Sequence, residues 1–449
     1  MALFSKGSPV RNLAILAGGD VLVAFISLIP SILSTFPGKV PLLWHYCFFP
    51  VVLFSSFLCE VYTTDKLIFK IKLIRSALGA ALSFAVLLLL FSSLRGIYVE
   101  LFLSLLFFLI LQNSWQILYQ KSTNSLFFAE NILVLGTGAM AEKVEKLIAS
   151  SKGRRTLAGY VKTASDPVTV PTTSIVGTID DIVELSKRYN AHAIVIALTE
   201  RRGNLIIEKL VTCKLMGVRI MDYPSFFEVT TGKIPVEEIN PSWLIQSSGF
   251  LITPFIRLMK RIVDVLFAST LLLFTLPLLP VIACGIKLTS KGPVFYLQKR
   301  VGVNGTPFTI FKFRSMADNA EKDTGASWAR QNDPRVTPIG AFMRKTRIDE
   351  LPQLVNVLKG DMSFIGPRPE RPEFVEEISR VTPYYLERHA VKPGITGWAQ
   401  VMYPYGSSLG DSVEKLRYDL YYINNLSFFL EILIVLETIK VVLFRRGGR

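Results

Sequence analysis

The chain has 449 residues, half of them hydrophobic, and its 50 basic residues exceed 35 acidic ones for a formal charge of +15. Length suggests about three domains, and a mean hydropathy of +0.41, with apolar residues gathered in the first 120 positions and near 265–287, points to a membrane protein with sizeable aqueous parts. The charge asks for an anionic partner, membrane lipids or a phosphorylated substrate and no nucleic acid, while four cysteines without CxxC spacing and three scattered histidines argue against disulfides or a zinc site.

Four apolar runs open the chain, at about 12–34, 41–60, 74–94 and 97–119, each near the ~20 residues of a spanning helix. Lys6 and Arg11 precede the first, and Lys66, Lys70, Lys72 and Arg75 lie between the second and third. Lys39 and Arg95 stand alone in the other two loops. The positive-inside rule then puts both ends of a four-helix transmembrane bundle in the cytoplasm. Asp20, inside the first run, is expected to make a polar contact between helices.

From 131 the pattern changes to short β-rich runs alternating with amphipathic stretches. "NILVLGTGAMAEKVEKLI" reads strand, glycine turn, helix; "AHAIVIAL" and "GVRIMDY" read as buried strands, with "TIDDIVELSKRY" and "LIIEKLVTCKL" as crossover helices. The expectation is a Rossmann-like doubly wound α/β module. Gly136, Gly138 and Ala141 match a dinucleotide-binding turn, but Lys162 stands where the ribose-binding acid belongs. The module is therefore expected to be a scaffold without a bound cofactor.

"FASTLLLFTLPLLPVIACGIK", 267–287, is apolar but carries Pro277 and Pro280. Lys260 and Arg261 precede it and Lys287, Lys291, Lys299 and Arg300 follow, so both ends carry the cytoplasmic signature. Proline removes a helical hydrogen bond and clashes with the preceding turn. A re-entrant hairpin is expected, with a kinked spanning helix as the alternative.

Beyond it, "GPVFYLQKRVGVNGTPFTIFKFRSM" sets Lys299, Arg300, Lys312 and Arg314 on or beside short strands. "RVTPIGAFMRKTRIDELPQLVNVLKGDMSFIGPRPE" adds Arg344, Lys345, Arg347, the adjacent Asp349 and Glu350, Asp361, and Arg368 between two prolines. A helix is expected over 351–358, with Pro352 in its first turn and Gly360 as its stop. The acidic pair would sit at its N-terminus, where the dipole favours carboxylates and phosphate. One carboxylate can attack phosphorus while the other holds Mg²⁺ against a diphosphate, with neighbouring Arg and Lys neutralising the oxygens in flight. The closing "FFLEILIVLETIKVVLFRRGGR" suits an interfacial helix, its Arg445, Arg446 and Arg449 facing anionic lipid, with a fifth span as the alternative.

These residues make the chain resemble the bacterial sugar transferases, the polyprenyl-phosphate hexose-1-phosphate transferases, in their large form with four N-terminal spans and a Rossmann-like middle module. The carrying motifs are "KRIVD" at 260–264, "GPVFYLQKR", "FKFRSM", "RIDELPQLVNVLKGDMSFIGPRP" and "VKPGITGWAQV" at 391–401. The resemblance implies transfer of a sugar 1-phosphate from a UDP-sugar to polyprenyl (undecaprenyl) phosphate, releasing UMP through a covalent phosphosugar intermediate. It implies Asp349 as nucleophile, Glu350 as Mg²⁺ ligand, and Lys312, Arg314 and Arg368 as phosphate contacts, which Arg300 and Arg344 join as phosphate-binding candidates. Pro277 would break the re-entrant helix. The expected fold is α plus α/β: a transmembrane bundle over 1–122, the Rossmann-like module over 123–250, and a catalytic domain with its hairpin over 251–449. The expected location is a bacterial inner membrane, multi-pass, with the catalytic domain on the cytoplasmic face. The bundle and middle module offer homodimer surfaces. A rival class, a membrane-bound nucleotide-sugar dehydratase or epimerase, needs Tyr-xxx-Lys downstream of the glycines; the one match, Tyr62 and Lys66, lies upstream.

Overall fold

The computed structural model describes residues 9–34, 43–62, 69–91, 98–124, 129–151, 155–164, 166–198, 207–247, 249–250, 253–317, 333–403, 406 and 408–443. The chain forms two compact units, Met1–Thr231 and Gly232–Arg449.

In the first unit, largely apolar sequence gives α1 (Pro9–Ser34), α2 (Leu43–Leu58), α3 (Phe69–Leu90) and α4 (Tyr98–Asn124). Val23, Ala24 and Leu28 pack with Trp44, Phe48 and Val52, with Leu87, and with Leu101, Leu105 and Phe108 in one buried cluster. Their outer faces are apolar too: Leu22, Phe25, Leu78, Leu89, Val99 and Phe102 are exposed. Helices greasy on every side are stable against lipid rather than water. Among the described residues two stretches, Ile71–Leu90 and Tyr98–Lys121, are long and apolar enough to cross a membrane, whereas Leu13–Ile29 and Trp44–Leu58 are shorter. Gln112 donates to Asp20 between α4 and α1, the polar contact expected for that carboxyl. Lys6, Lys39, Lys66 and Arg95, on which orientation was reasoned, lie outside the described residues, as do Arg445, Arg446 and Arg449.

The same unit continues as an alternating α/β fold: β1 (Glu130–Leu135), α5 (Ala139–Ser150), β2 (Arg155–Lys162), β3 (Ile175–Thr178), α6 (Ile182–Arg188), β4 (Ala193–Ile196), α7 (Ile207–Leu215), β5 (Arg219–Asp222) and α8 (Tyr223–Thr231). The strands run parallel in the order β3-β2-β1-β4-β5. Both sheet faces are covered, which is why β1 reads as one apolar run. Ile132 and Val134 pack toward Val144, Ile148 and Phe226 on one face. Leu133 and Leu135 pack toward Ile182, Leu185, Leu210 and Cys213 on the other.

The second unit begins with an irregular segment and α9 (Pro241–Gln246), then α10 (Pro254–Thr275) and α11 (Leu278–Thr289). Ile234 and Val236 of this segment are buried, and Ile234 N donates to Arg417 O at 3.0 Å. Helices α10 and α11 bend by 62° at their break. Pro277 caps α11, whereas Pro280 falls at its third position, where an N–H has no acceptor within the helix, so one proline breaks and the other is tolerated. There follow β6 (Phe295–Val301) and β7 (Pro307–Phe313) as an antiparallel hairpin, α12 (Pro338–Thr346), α13 (Gln353–Lys359), β8 (Ser363–Ile365), α14 (Pro372–Val381), β9 (Gly394–Thr396), α15 (Trp398–Met402), α16 (Leu409–Asn424) and α17 (Phe428–Leu443). Ala268 of α10 packs with Ile310, Leu354, Val357 and Met362. Asp264, one turn earlier, accepts from Ser363 Oγ at 2.9 Å and Phe364 N at 2.8 Å. The outer side of the bent pair leaves Leu258, Leu266, Leu273, Phe274, Leu278 and Val281 exposed.

Candidate active site

The acidic pair is placed by two interrupted helices. Thr337 caps α12, accepting from Gly340 N at 3.1 Å, and Pro338 holds its first position. The helix stops at Arg347, whose left-handed φ of 58° costs a non-glycine residue roughly 1 kcal/mol or more. The reversal feeds a tight 3₁₀ turn, Ile348–Glu350, in which Asp349 and Glu350 are both buried. Helix α13 starts at Gln353, two residues later than expected, because Leu351 and Pro352 complete that turn first; Gly360, at φ 95°, ends it as expected. Asn356, fully buried, donates to Thr309 O at 2.7 Å and accepts from Phe311 N at 3.0 Å. That pair of hydrogen bonds locks α13 onto β7, the strand carrying Lys312.

Glu350 is the hub. Its Oε1 receives Arg368 Nη2 at 2.7 Å, and Lys312 Nζ and Arg347 Nη1 lie 3.5 Å and 3.7 Å away. Burial alone would raise this carboxyl, but Arg368, Lys312 and Arg347 outweigh it and hold it well below the usual range. Asp349 differs: Oδ1 is buried with no hydrogen-bond partner. Burial, then the Glu350 charge, lift its carboxyl to about 6 against the pull of Lys312, Arg344 and Arg347. Burial likewise brings the Lys312 ammonium down to about 8, with Arg368 and Arg300 adding to the effect and Glu350 opposing it. Two adjacent carboxyls pushed in opposite directions are suited to different tasks: one stays charged, and the other is an unsolvated base with an open lone pair.

The remaining expected phosphate ligands are spread around this centre. Arg344 donates through Nε to Ser315 Oγ at 2.9 Å and still acts on Asp349 through its charge. Arg314 turns away, donating to Lys291 O at 2.8 Å, Ser290 O at 3.0 Å and Ser290 Oγ at 2.9 Å, where it ties the end of α11 to the hairpin. Arg300 donates to Pro369 O at 3.1 Å and Gln298 Oε1 at 2.6 Å. Sequence reading missed the buried ion pair of Arg388 with Asp419, at 2.7 Å, and the locking role of Asn356; neither stands in a pattern that spacing would reveal.

Among the described residues no three His, Cys, Asp or Glu side chains gather as a metal site. A magnesium ion asks less of the protein, since one or two carboxylates suffice when substrate phosphates and water complete its shell. The unpartnered Asp349 Oδ1 and the neighbouring Glu350 supply hard oxygen donors of that kind.

In the α/β module the glycine turn after β1 is filled from within. Asp166 Oδ2 accepts from Thr137 N at 2.6 Å and Gly138 N at 2.9 Å, where a dinucleotide phosphate would bind. Gly136, at φ 130°, lets the turn pass Ala197 O closely.

A bent, outwardly apolar helix pair and the apolar helices of the other unit mark a membrane protein, and the buried carboxylate pair faced by several cations is its candidate site. Residues 255–445 match the model of the family described as bacterial sugar transferase. The chain is 43% identical over 240 residues to the UDP-N-acetylgalactosamine-undecaprenyl-phosphate N-acetylgalactosaminephosphotransferase of Aeromonas hydrophila, covering 54% of this chain and 56% of that protein. It is 37% identical over 273 residues to the UDP-glucose:undecaprenyl-phosphate glucose-1-phosphate transferase of Escherichia coli, covering 59% and 57%. It is 35% identical over 223 residues to the exopolysaccharide production protein ExoY of Rhizobium meliloti, covering 46% of this chain and 96% of that one. The match thus spans little more than half the length of the first two relatives. The chain belongs to the bacterial sugar transferase family.

Proposed function

We propose that this protein transfers a sugar 1-phosphate from a UDP-sugar to polyprenyl (undecaprenyl) phosphate, releasing UMP, as an opening step in making a cell-surface polysaccharide. The observation that carries the reading is the buried pair: an Asp349 oxygen with no hydrogen-bond partner, beside a Glu350 wrapped by Arg368, Lys312 and Arg347. The Asp349 carboxylate attacks the phosphorus that bears the sugar; the bond to the bridging oxygen breaks and UMP leaves with that oxygen and the electron pair. A phosphate oxygen of the polyprenyl carrier then attacks the aspartyl-bound phosphorus, and Asp349 leaves as a carboxylate. Lys312 and Arg368 neutralise the phosphoryl oxygens in both halves. Mg²⁺ held at Glu350, when bound, supplies further charge neutralisation on the diphosphate. Arg300, Arg314 and Arg344 serve mainly by holding the turns and strand ends around the site, and Arg344 adds its field at Asp349.

The same reading makes α1 to α4 a four-span bundle with both ends cytoplasmic, and the α10–α11 pair a re-entrant hairpin broken at Pro277. The catalytic unit then lies on the cytoplasmic face of an inner membrane, where nucleotide sugars are made. Helix α17 lies along the lipid surface, the chain is read as bundle, α/β module and catalytic part, and the bundle and α/β module are surfaces on which a homodimer forms. The 62° bend and the exposed apolar residues of α10 and α11 support re-entry. The dehydratase or epimerase alternative is disfavoured because Asp166 occupies the glycine turn.

The test is UMP release by the purified chain from a panel of UDP-sugars, with and without Mg²⁺ and undecaprenyl phosphate. Asp349→Asn should abolish turnover while remaining folded; wild-type turnover in that variant would remove the nucleophile. A C-terminal reporter facing outward in intact cells would overturn the hairpin.

A further inference from the structure

The turn that presents Arg368 cannot hold itself. It runs Gly366, Pro367, Arg368, Pro369, and the two prolines flanking the arginine have no N–H to donate. Its shape is set by groups outside it. Gly366 N donates to Thr396 O at 2.8 Å, and Pro367 O accepts from Gly394 N at 2.9 Å. Arg368 O accepts from Arg388 Nη2 at 3.0 Å, Pro369 O from Arg300 Nη1 at 3.1 Å, and Glu370 O from Val301 N at 2.9 Å.

Arg388 is buried, as is Asp419 on α16. Its Nε and Nη2 both reach Asp419 Oδ2, at 3.1 Å and 2.7 Å, and Nη1 donates to Tyr385 Oη at 2.8 Å. A desolvated ion pair is a poor source of stability, since well-packed apolar side chains of similar volume do as well or better. This pair does something an apolar replacement cannot: it spends one guanidinium N–H on the carbonyl of Arg368.

We propose that Arg388, anchored by Asp419 and Tyr385, is a positioning residue that sets the Arg368 guanidinium against Glu350. The proposal rests on the reading of the site given above. Arg368 is the strongest of the charges acting on Glu350, which also faces Lys312 and Arg347, with Asp349 beside it and Arg344 acting on Asp349. If the turn relaxes, Arg368 withdraws from Glu350, so removing Arg388 and removing Arg368 cost the same contact and their effects should not add.

The decisive variant replaces both charges with apolar side chains, Arg388→Met with Asp419→Leu, in the full chain. This double change spares the fold the cost of one orphaned buried charge, while Asp419→Asn alone serves as the milder companion. The expected result is a folded double variant whose kcat for UMP release falls about 100-fold, the cost of misplacing a catalytic group by roughly 1 Å. Built on an Arg368→Ala background, the same double change should cost little further kcat, because the loss runs through Arg368. Hydrogen exchange should quicken at 366–371 and not at α13. A double variant with wild-type kcat overturns the proposal, as does a loss that adds in full to that of Arg368→Ala, which would mark a structural role alone. If the wild-type chain releases no UMP from any UDP-sugar, the proposed reaction fails instead, and exchange at 366–371 still decides whether Arg388 braces the turn.

Discussion

Asp349→Asn is expected to make the protein more stable as well as inactive. An ordinary aspartate ionises near 3.8, and in the folded protein burial followed by the Glu350 charge raises this to about 6. The folded state therefore holds the proton more tightly than the unfolded chain. Folding is penalised progressively as pH rises from about 4 to 6, and fully above that. The rise corresponds to roughly 3 kcal/mol at neutral pH. An asparagine avoids this but sets an amide donor among Lys312, Arg344 and Arg347, costing about 1 kcal/mol, so a net gain of about 2 kcal/mol remains. For a unit of this size that is about 4 to 8 °C in the unfolding midpoint. A thermal melt followed by tryptophan fluorescence, in one detergent at pH 7.5 and pH 5, measures it. The variant should melt higher at pH 7.5, and its advantage should shrink by about two-thirds at pH 5. A midpoint at or below wild type at pH 7.5, or a gap indifferent to pH, would refute the claim that the carboxylate is held ionised at a cost.

Other outcomes follow from the same geometry. The value of kcat/KM for UMP release should rise with pH through about 6 as Asp349 ionises, and stopped assays across pH 5 to 8 will show whether it does. Arg368→Ala removes the 2.7 Å contact to Glu350; kcat should drop by roughly 100-fold or more, the scale for losing a donor aimed at developing charge, with an acid limb displaced upward. Asp166→Ala strips the acceptor from Thr137 N and Gly138 N, and should destabilise the α/β module by about 1–3 kcal/mol without changing UMP release per folded molecule. Limited proteolysis and a melt of the full chain would report the first, and a rate normalised to folded protein the second.

Much of this was legible in the residues because local chemistry decided it. The period-two and buried runs gave β1, β4 and β5, the prolines and flanking lysines located the bend, and Gly360 stopped α13 where a left-handed residue was needed. The acidic pair was recognisable from adjacency and its setting between basic motifs. What escaped was set by tertiary partners. Arg300, Arg314 and Lys312 look alike in sequence, yet Lys312 faces Glu350 while the two arginines reach backbone carbonyls. Strand β3 was missed because "SIVGT" is too short to carry a period. Asp166 was missed because its task depends on a loop returning to a turn 29 residues upstream of it at Thr137.

The segment leaving the first unit bears on how the catalytic part can be handled. The family match begins at 255, but Lys233 pairs with Glu414, Glu237 with Arg417 at 2.9 Å, and Trp398 Nε1 donates to Gly232 O at 3.2 Å. A shortened chain starting near 251 would strip these anchors from α15 and α16, the latter being the helix that carries Asp419. An excised transferase meant to behave like the parent should begin no later than Gly232.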